Sequence, residues 1–219
     1  TGSYNAALGE SALYNNTTAS ENTAVGESSL KSNTTGTYNT GSGRLSLFSN
    51  TTGARNTGIG YAASYANTTG TYNTAIGMQA LNATTTASYN TALGYQAGYS
   101  SVTGDDQTFI GYKAGHSTTG TDNTFVGASS GAGVTSGSKN TILGKYNGNQ
   151  NGLDIRTSSN NIVLSDGDGN PRMHVDGSGN VVFNPQAANQ DFRVKSDGNS
   201  YAIFLDSGDD RLHFGNSTT

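Results

Sequence analysis

The feature that most constrains this chain is a repeat of 17 residues. A segment resembling Asn-Thr-Ala-Ile-Gly begins at Asn5, Asn22, Asn39, Asn56, Asn73, Asn90, Gln107, Asn123 and Asn140. Successive spacings are 17 six times, then 16, then 17. The short period reads as one residue lost between Gly115 and Thr119, in a polar stretch where a loop tolerates a deletion. Self-similarity at a fixed period of this size is the signature of a solenoid, in which each repeat stacks on its neighbours.

Other positions keep step with the anchor. Four residues on stands Gly, from Gly9 through Gly144. Before that Gly comes an aliphatic in eight copies: Leu8, Val25, Ile59, Ile76, Leu93, Ile110, Val126 and Leu143, with Ser42 as the exception. A small residue recurs seven after the anchor, as at Ala12, Ser29, Ala63, Ala80 and Ala97, and a Thr pair follows, as at Thr34-Thr35 and Thr68-Thr69. Alternation within the anchor segment has period two, so each repeat predicts one strand of about five residues. The Ala-Leu stretch predicts a second short strand, with Gly, Thr and Asn at the corners. Helix is excluded by the absence of a 3.6-residue period and by the recurring glycine.

These elements define an all-β fold, a parallel β-solenoid of nine coils over residues 1–145. At about 4.8 Å per coil the stack is on the order of 40 Å long. Asn22, Asn56, Asn73, Asn90, Asn123 and Asn140 should then form one ladder, and the aliphatics another. The coil is lean: Leu, Ile, Val and Phe make 35 of 219 residues. Such a share accompanies disorder only when net charge is high, and here it is −4. Ordering backbone costs roughly 1–2 kcal/mol per residue, so the stripe from Leu8 to Leu143 is expected to be covered by sister chains around an axis parallel to the solenoid.

Two repeats carry a family resemblance. Asn73-Thr-Ala-Ile-Gly-Met-Gln-Ala-Leu81 and Asn90-Thr-Ala-Leu-Gly-Tyr-Gln-Ala-Gly98 resemble the head repeats of trimeric autotransporter adhesins and, more closely, related repeats of bacteriophage tail fibres. The resemblance implies a left-handed β-roll in a homotrimer. It covers roughly residues 1–145 and departs from the adhesin pattern in its longer period and at Gly41-Ser42.

Beyond residue 145 the composition changes. Six acidic residues stand before that point and nine after it, all Asp. Short strands are predicted at 161–164, 172–175, 181–183, 192–195, 201–205 and 212–214, separated by Asp-Gly and Gly-Asn turns of the kind that tight hairpins need. Residues 185–189 read as a hinge. The region 146–219 is similar to the hairpin neck of tail fibres, which precedes a self-cleaving chaperone, and the chain, opening at Thr1 without Met, reads as a fragment or processed product.

Few residues carry chemistry. Asp166, Asp168 and Asn170 alternate as in a Ca²⁺ loop, but Gly177 stands where an EF-hand places its bidentate Glu, so a plain turn is the simpler expectation. Glu10 and Glu27 occupy equivalent places in adjacent coils, at a spacing that invites comparison with a glycosidase pair, yet on a corner rather than in a pocket. His116, His174 and His213 are isolated, and no zinc spacing or phosphate loop occurs. Thr pairs beside Gly corners do not offer the flat face an ice-binding solenoid needs. Aromatic rings recur five residues after the anchor (Tyr61, Tyr95, Tyr112), nine after it (Tyr14, Phe48, Tyr65, Tyr99) and just before it (Tyr38, Tyr72, Tyr89). Stacked and exposed, they offer a glycan or receptor surface; otherwise they seal corners or pack between chains.

The expectation is therefore a non-enzymatic fibre segment without cofactors, carried on a virion as part of a tail fibre. Its partners are two further copies of itself and a host cell-surface glycan or protein. The alternatives are a trimeric adhesin head on a bacterial surface and, less in keeping with the residues, a polysaccharide depolymerase. The mildly acidic balance argues against nucleic acid, and the lack of an 18-residue apolar run argues against a membrane-spanning helix.

Overall fold

The computed structural model describes residues 2–185 in full and the backbone of three further strands, Phe192–Ser196, Asn199–Asp206 and Arg211–Phe214. Nine three-residue strands follow the anchors: β1 (Ala6–Leu8), β2 (Thr23–Val25), β3 (Thr40–Ser42), β4 (Thr57–Ile59), β5 (Thr74–Ile76), β6 (Thr91–Leu93), β7 (Thr108–Ile110), β8 (Thr124–Val126) and β9 (Thr141–Leu143). Each pairs in parallel with the next, like residue against like, as in Ile59 opposite Ile76 and Ile76 opposite Leu93. The chain is all-β among the described residues, a parallel solenoid with one coil per repeat.

The ladder continues past residue 145. A hairpin, β10 (Asn149–Gln150) and β11 (Leu153–Asp154), bulges from the ninth turn, and β12 (Ile162–Ser165) then pairs in parallel with β9. Ten parallel strands thus enclose nine complete turns. The sheet next reverses: β13 (Pro171–Val175) and β14 (Val181–Phe183) add antiparallel, at the places the Asp-Gly turns predicted. The strands β15 (Phe192–Ser196), β16 (Asn199–Asp206) and β17 (Arg211–Phe214) form a separate antiparallel sheet. Apart from Pro185, the expected hinge lies outside the described residues.

Three expectations need correction. The strands are three residues long rather than five, and the Ala-Leu stretch forms no second strand. In that stretch every other residue is left-handed, as at Gln79 (φ 57°) and Leu81 (φ 48°), so the chain turns instead of extending. Its amides still bond to the next coil, Leu47 N–H to Ala63 O at 2.9 Å and Ser49 N–H to Tyr65 O at 3.0 Å, so no strand is needed to satisfy them. Thirdly, the missing residue of the short turn lies after Thr119. Thr119 N–H still donates to its counterpart, Thr135 O, at 2.7 Å, so the spacing from Gly115 to Thr119 is intact. Gln107, one methylene longer than Asn, spans the shortened corner and donates to Gly120 O.

The core sits one residue earlier than the aliphatic stripe. Because strand side chains alternate, the residue two after the anchor points inward and the aliphatic three after it points outward. Ala24, Ala75, Ala92, Phe109, Phe125 and Ile142 are fully buried, packed against the residues eight after the anchors, which are Leu in four coils: Leu13, Leu30, Leu47 and Leu81. The two inward positions trade volume. Leu accompanies Ala or Gly, whereas Phe109 and Phe125 accompany Gly115 and Gly131; in the sixth coil Ala92 accompanies Gly98, whose space is taken by Leu81 and Phe109 of the neighbouring coils. A Cβ on Gly131 would lie 2.7 Å from Phe125 Cγ and nearer still to the ring edge. In the fourth coil both inward residues are small, Gly58 and Ser64, and the buried apolar side chains fall into two clusters, one ending at Leu47 and the other beginning at Ala63.

Polar ladders bind the coils. The backbone N–H of each anchor donates to the side-chain oxygen of the anchor before it, from Asn22 onto Asn5 at 2.9 Å to Asn140 onto Asn123 at 3.0 Å. The amide nitrogen of the anchor caps the corner carbonyl of its own coil, as Asn56 Nδ2 does on Gly70 O at 2.8 Å; at Asn90 that nitrogen is buried without a partner. Asn161 is a tenth rung, donating to Asn140 Oδ1 at 2.9 Å. A second ladder runs through Asn16, Asn33, Asn50 and Asn67. It stops at Thr84, whose hydroxyl donates instead to Ser101 O, and Asn67 Oδ1 is left buried without a partner. These bonds matter energetically because 25 described non-glycine residues have positive φ, a conformation that costs on the order of 1 kcal/mol each.

Candidate binding surface

The tyrosines stand in three columns along the coil corners, at the places the repeat frame assigns them. Five after the anchor run Glu27, Arg44, Tyr61, Met78, Tyr95 and Tyr112. Arg44 Nε donates to Glu27 Oε2 at 2.9 Å, its guanidinium lies 5.9 Å from the Tyr61 ring centre, and Tyr95 stacks on Tyr112 at 5.4 Å. That carboxylate bond raises the Arg44 pKa. Nine after the anchor, Lys31 covers Phe48, Phe48 stacks on Tyr65 at 5.2 Å, and Tyr99 stacks on His116 at 5.2 Å. Burial, followed by the charge of Lys113, lowers the His116 pKa. Just before the anchor, Arg55 lies between Tyr38 and Tyr72, 5.3 and 5.2 Å from their centres, and Tyr72 stacks on Tyr89 at 5.1 Å.

Stacking along the axis has a chemical consequence. A ring whose faces are taken by the coils above and below presents only its edge and hydroxyl to solvent. Most of these tyrosines therefore reinforce the corners, at roughly 0.5–1.5 kcal/mol per stacked pair, instead of offering a face to a ligand. Sequence reasoning singled out the rings but missed Lys31, Arg44, Arg55 and His116 as members of the same columns. Their offsets from the anchor were the available signal.

The fifth coil breaks the pattern. There Met78 and Asn82 replace rings in two columns at once, and beside them lies a cavity of about 260 Å³ lined by Leu45, Tyr61, Ala62, Tyr65, Gln79 and Asn82. It lies against the fourth coil, where the core is thinnest.

The other candidates have structural roles. Asp166 Oδ1 accepts from the backbone N–H of Asp168 at 3.0 Å and of Asn170 at 2.9 Å, while Oδ2 accepts from Asn170 Nδ2 and Arg172 Nε, both at 3.0 Å. Donors occupy both oxygens, so Asp166, Asp168 and Asn170 form a hairpin turn. Asp176 repeats the pattern with Ser178 and Asn180. No three His, Cys, Asp or Glu side chains come together as a metal cluster among the described residues. Glu10 and Glu27 face solvent. His174 is buried and hydrogen-bonded to Asn161 Oδ1 at 2.9 Å, at the end of the anchor ladder, and burial lowers its pKa.

The Asp166 turn gives a pH prediction. Hydrogen bonds from Asn170 above all hold the Asp166 carboxyl well below the usual carboxylate range. A depressed folded-state pKa contributes stability above the unfolded value of about 3.9 and loses it as pH falls below that. The β12–β13 turn should therefore loosen in acid below about pH 4. The protection of the Asp168 and Asn170 amides, each rate taken relative to its intrinsic rate at the same pH, should fall there, while the anchors from Asn22 to Asn140, none of them ionisable, keep theirs. Equal protection at pH 3 and pH 7 would contradict this.

Compared with protein families, curated proteins and solved structures, the chain matches none.

Proposed function

We propose that this chain is a structural and host-attachment segment of a phage tail fibre, in which three copies pack side by side along their aliphatic columns. One observation carries the proposal. A chain that already has its own core carries a second, outward apolar column in register from coil to coil, broken at Ser42. Val25, Ile59 and Ile110 are exposed, Leu93 and Leu143 are 46% and 43% exposed, and past Leu143 the column continues in register through Leu164 and Met173 to Phe183. An exposed apolar surface of this kind marks an interaction site. Its straight, repeating register suits a copy of the same surface better than an unrelated partner. Host attachment follows from the resemblance of the repeats together with the solvent-facing corner columns.

Replacing Ile59, Leu93 and Ile110 together by Ser tests the packing. Burying an aliphatic stabilises by on the order of 1–2 kcal/mol, so the triple change across three chains should dissociate the trimer while β-type circular dichroism persists. A variant that stays trimeric would count against this face. Adsorption of labelled protein to a panel of bacterial cells tests attachment; no adsorption to any strain would contradict it.

A further inference from the structure

At the fifth coil two aromatic columns are interrupted together. Met78 stands between Tyr61 and Tyr95, and Asn82 stands between Tyr65 and Tyr99. Tyr65 carries Phe48 on one side, Tyr61 has only Arg44, and no ring stacks on either from the fifth coil. Two amides line the resulting groove with valences to spare. Asn82 Nδ2 donates to Ala62 O at 3.1 Å, which fixes the amide and leaves Oδ1 as an acceptor. Gln79 Oε1 accepts from Gln96 Nε2 at 2.9 Å, which leaves Gln79 Nε2 as a donor. No ionisable side chain other than the two phenols lines the space.

We propose that this groove is a subsite for one neutral pyranose unit of a surface glycan. The proposal rests on the attachment reading and names its ligand. A sugar ring has apolar C–H faces that pack on tyrosine, and hydroxyls that both donate and accept. An aromatic pair with one free amide acceptor and one free amide donor meets both needs. The absence of a charged lining favours an uncharged sugar over a uronate or phosphate. A volume of about 260 Å³ is below the range for drug-sized ligands and suits a single ring. One such site binds weakly, with Kd on the order of millimolar, and three copies on one fibre raise the avidity of a polysaccharide.

The decisive variant is Asn82→Tyr. It completes the column with the residue found in the coils before and after, so it plugs the groove without disturbing the fold. Gln79→Leu is the second variant, since Leu45 occupies the same offset at a similar φ of 60°. Saturation-transfer NMR on the intact chain, with methyl glycosides of glucose, galactose, mannose and N-acetylglucosamine as probes, should show binding of at least one. Asn82→Tyr should weaken that binding at least tenfold without lowering the melting temperature, and Gln79→Leu should weaken it several-fold. If none of the glycosides binds, or Asn82→Tyr binds as the wild type does, the subsite is overturned. Adsorption to cells undiminished in Asn82→Tyr also overturns the subsite while leaving attachment standing, whereas a wild-type chain that adsorbs to no cell overturns both.

Discussion

Changing Phe125 to Ala or Gly131 to Leu alone should cost several kcal/mol, and changing both together should restore most of the loss. The first substitution empties a fully buried ring site, a type of change that costs about 3–5 kcal/mol. The second drives a side chain into the Phe125 ring, which a Cβ alone already crowds, at about 3 kcal/mol or more. In the double variant the coil becomes an Ala–Leu coil like the second, where Ala24 and Leu30 are both buried. The backbone is prepared for it: φ is 59° at Gly131, against 50° at Leu47 and 48° at Leu81. Denaturant melting of the four proteins should give a coupling of at least about 2 kcal/mol, within the range of residues in contact. Additive losses would mean that the two positions do not share one volume.

Asn73→Ala should be nearly as damaging, although it removes only a few atoms. Asn73 Oδ1 accepts from the backbone N–H of Asn90 at 3.0 Å, and its Nδ2 donates to Ala87 O at 2.8 Å, both in buried surroundings. Truncation strands a backbone donor and a backbone acceptor at about 1–3 kcal/mol each, so a loss of about 3–5 kcal/mol is expected. Asn73→Asp separates the two halves of the role. One oxygen still serves Asn90, but the other faces the Ala87 carbonyl and must hold a proton to bond there. That raises the folded-state pKa of the introduced carboxyl, so the variant approaches wild-type stability below its unfolded pKa of about 3.9 and loses stability as pH rises above it. Thermal melting of Asn73→Asp at pH 3.5 and pH 7 checks the sign. Equal melting points relative to wild type would show that the amide nitrogen does not matter.

Much of the fold was legible in the sequence, because a solenoid writes its period directly into the chain. The anchors gave the stacking register and the absence of helix. The aliphatic column gave a face that points outward. What misled was hydrophobicity as a guide to burial. Ile59 and Leu93 are more apolar than Gly58 and Ala92, yet the smaller residues point inward, because the interior is already filled by Leu from the preceding coil, Leu47 beside Gly58 and Leu81 in the cluster with Ala92. The exchange of Leu for Gly opposite Phe109 and Phe125 was the visible clue to which position is core.

The second strand failed for a different reason. Ala and Leu at alternate positions read as a strand whether the backbone extends or alternates in hand, and only the hand distinguishes them. Asn161 escaped the frame because the β10–β11 hairpin stretches its period to 21 residues. At the surface, the columns were legible ring by ring. The groove was not, since it depends on two unremarkable residues, Met78 and Asn82, interrupting neighbouring columns in the same coil.

Light scattering on the intact chain at neutral pH tests most directly whether the outward column is an interface. Three chains of 22.4 kDa give a particle of about 67 kDa, and that is the mass expected. A stable 22.4-kDa species, folded and β-rich, would contradict it.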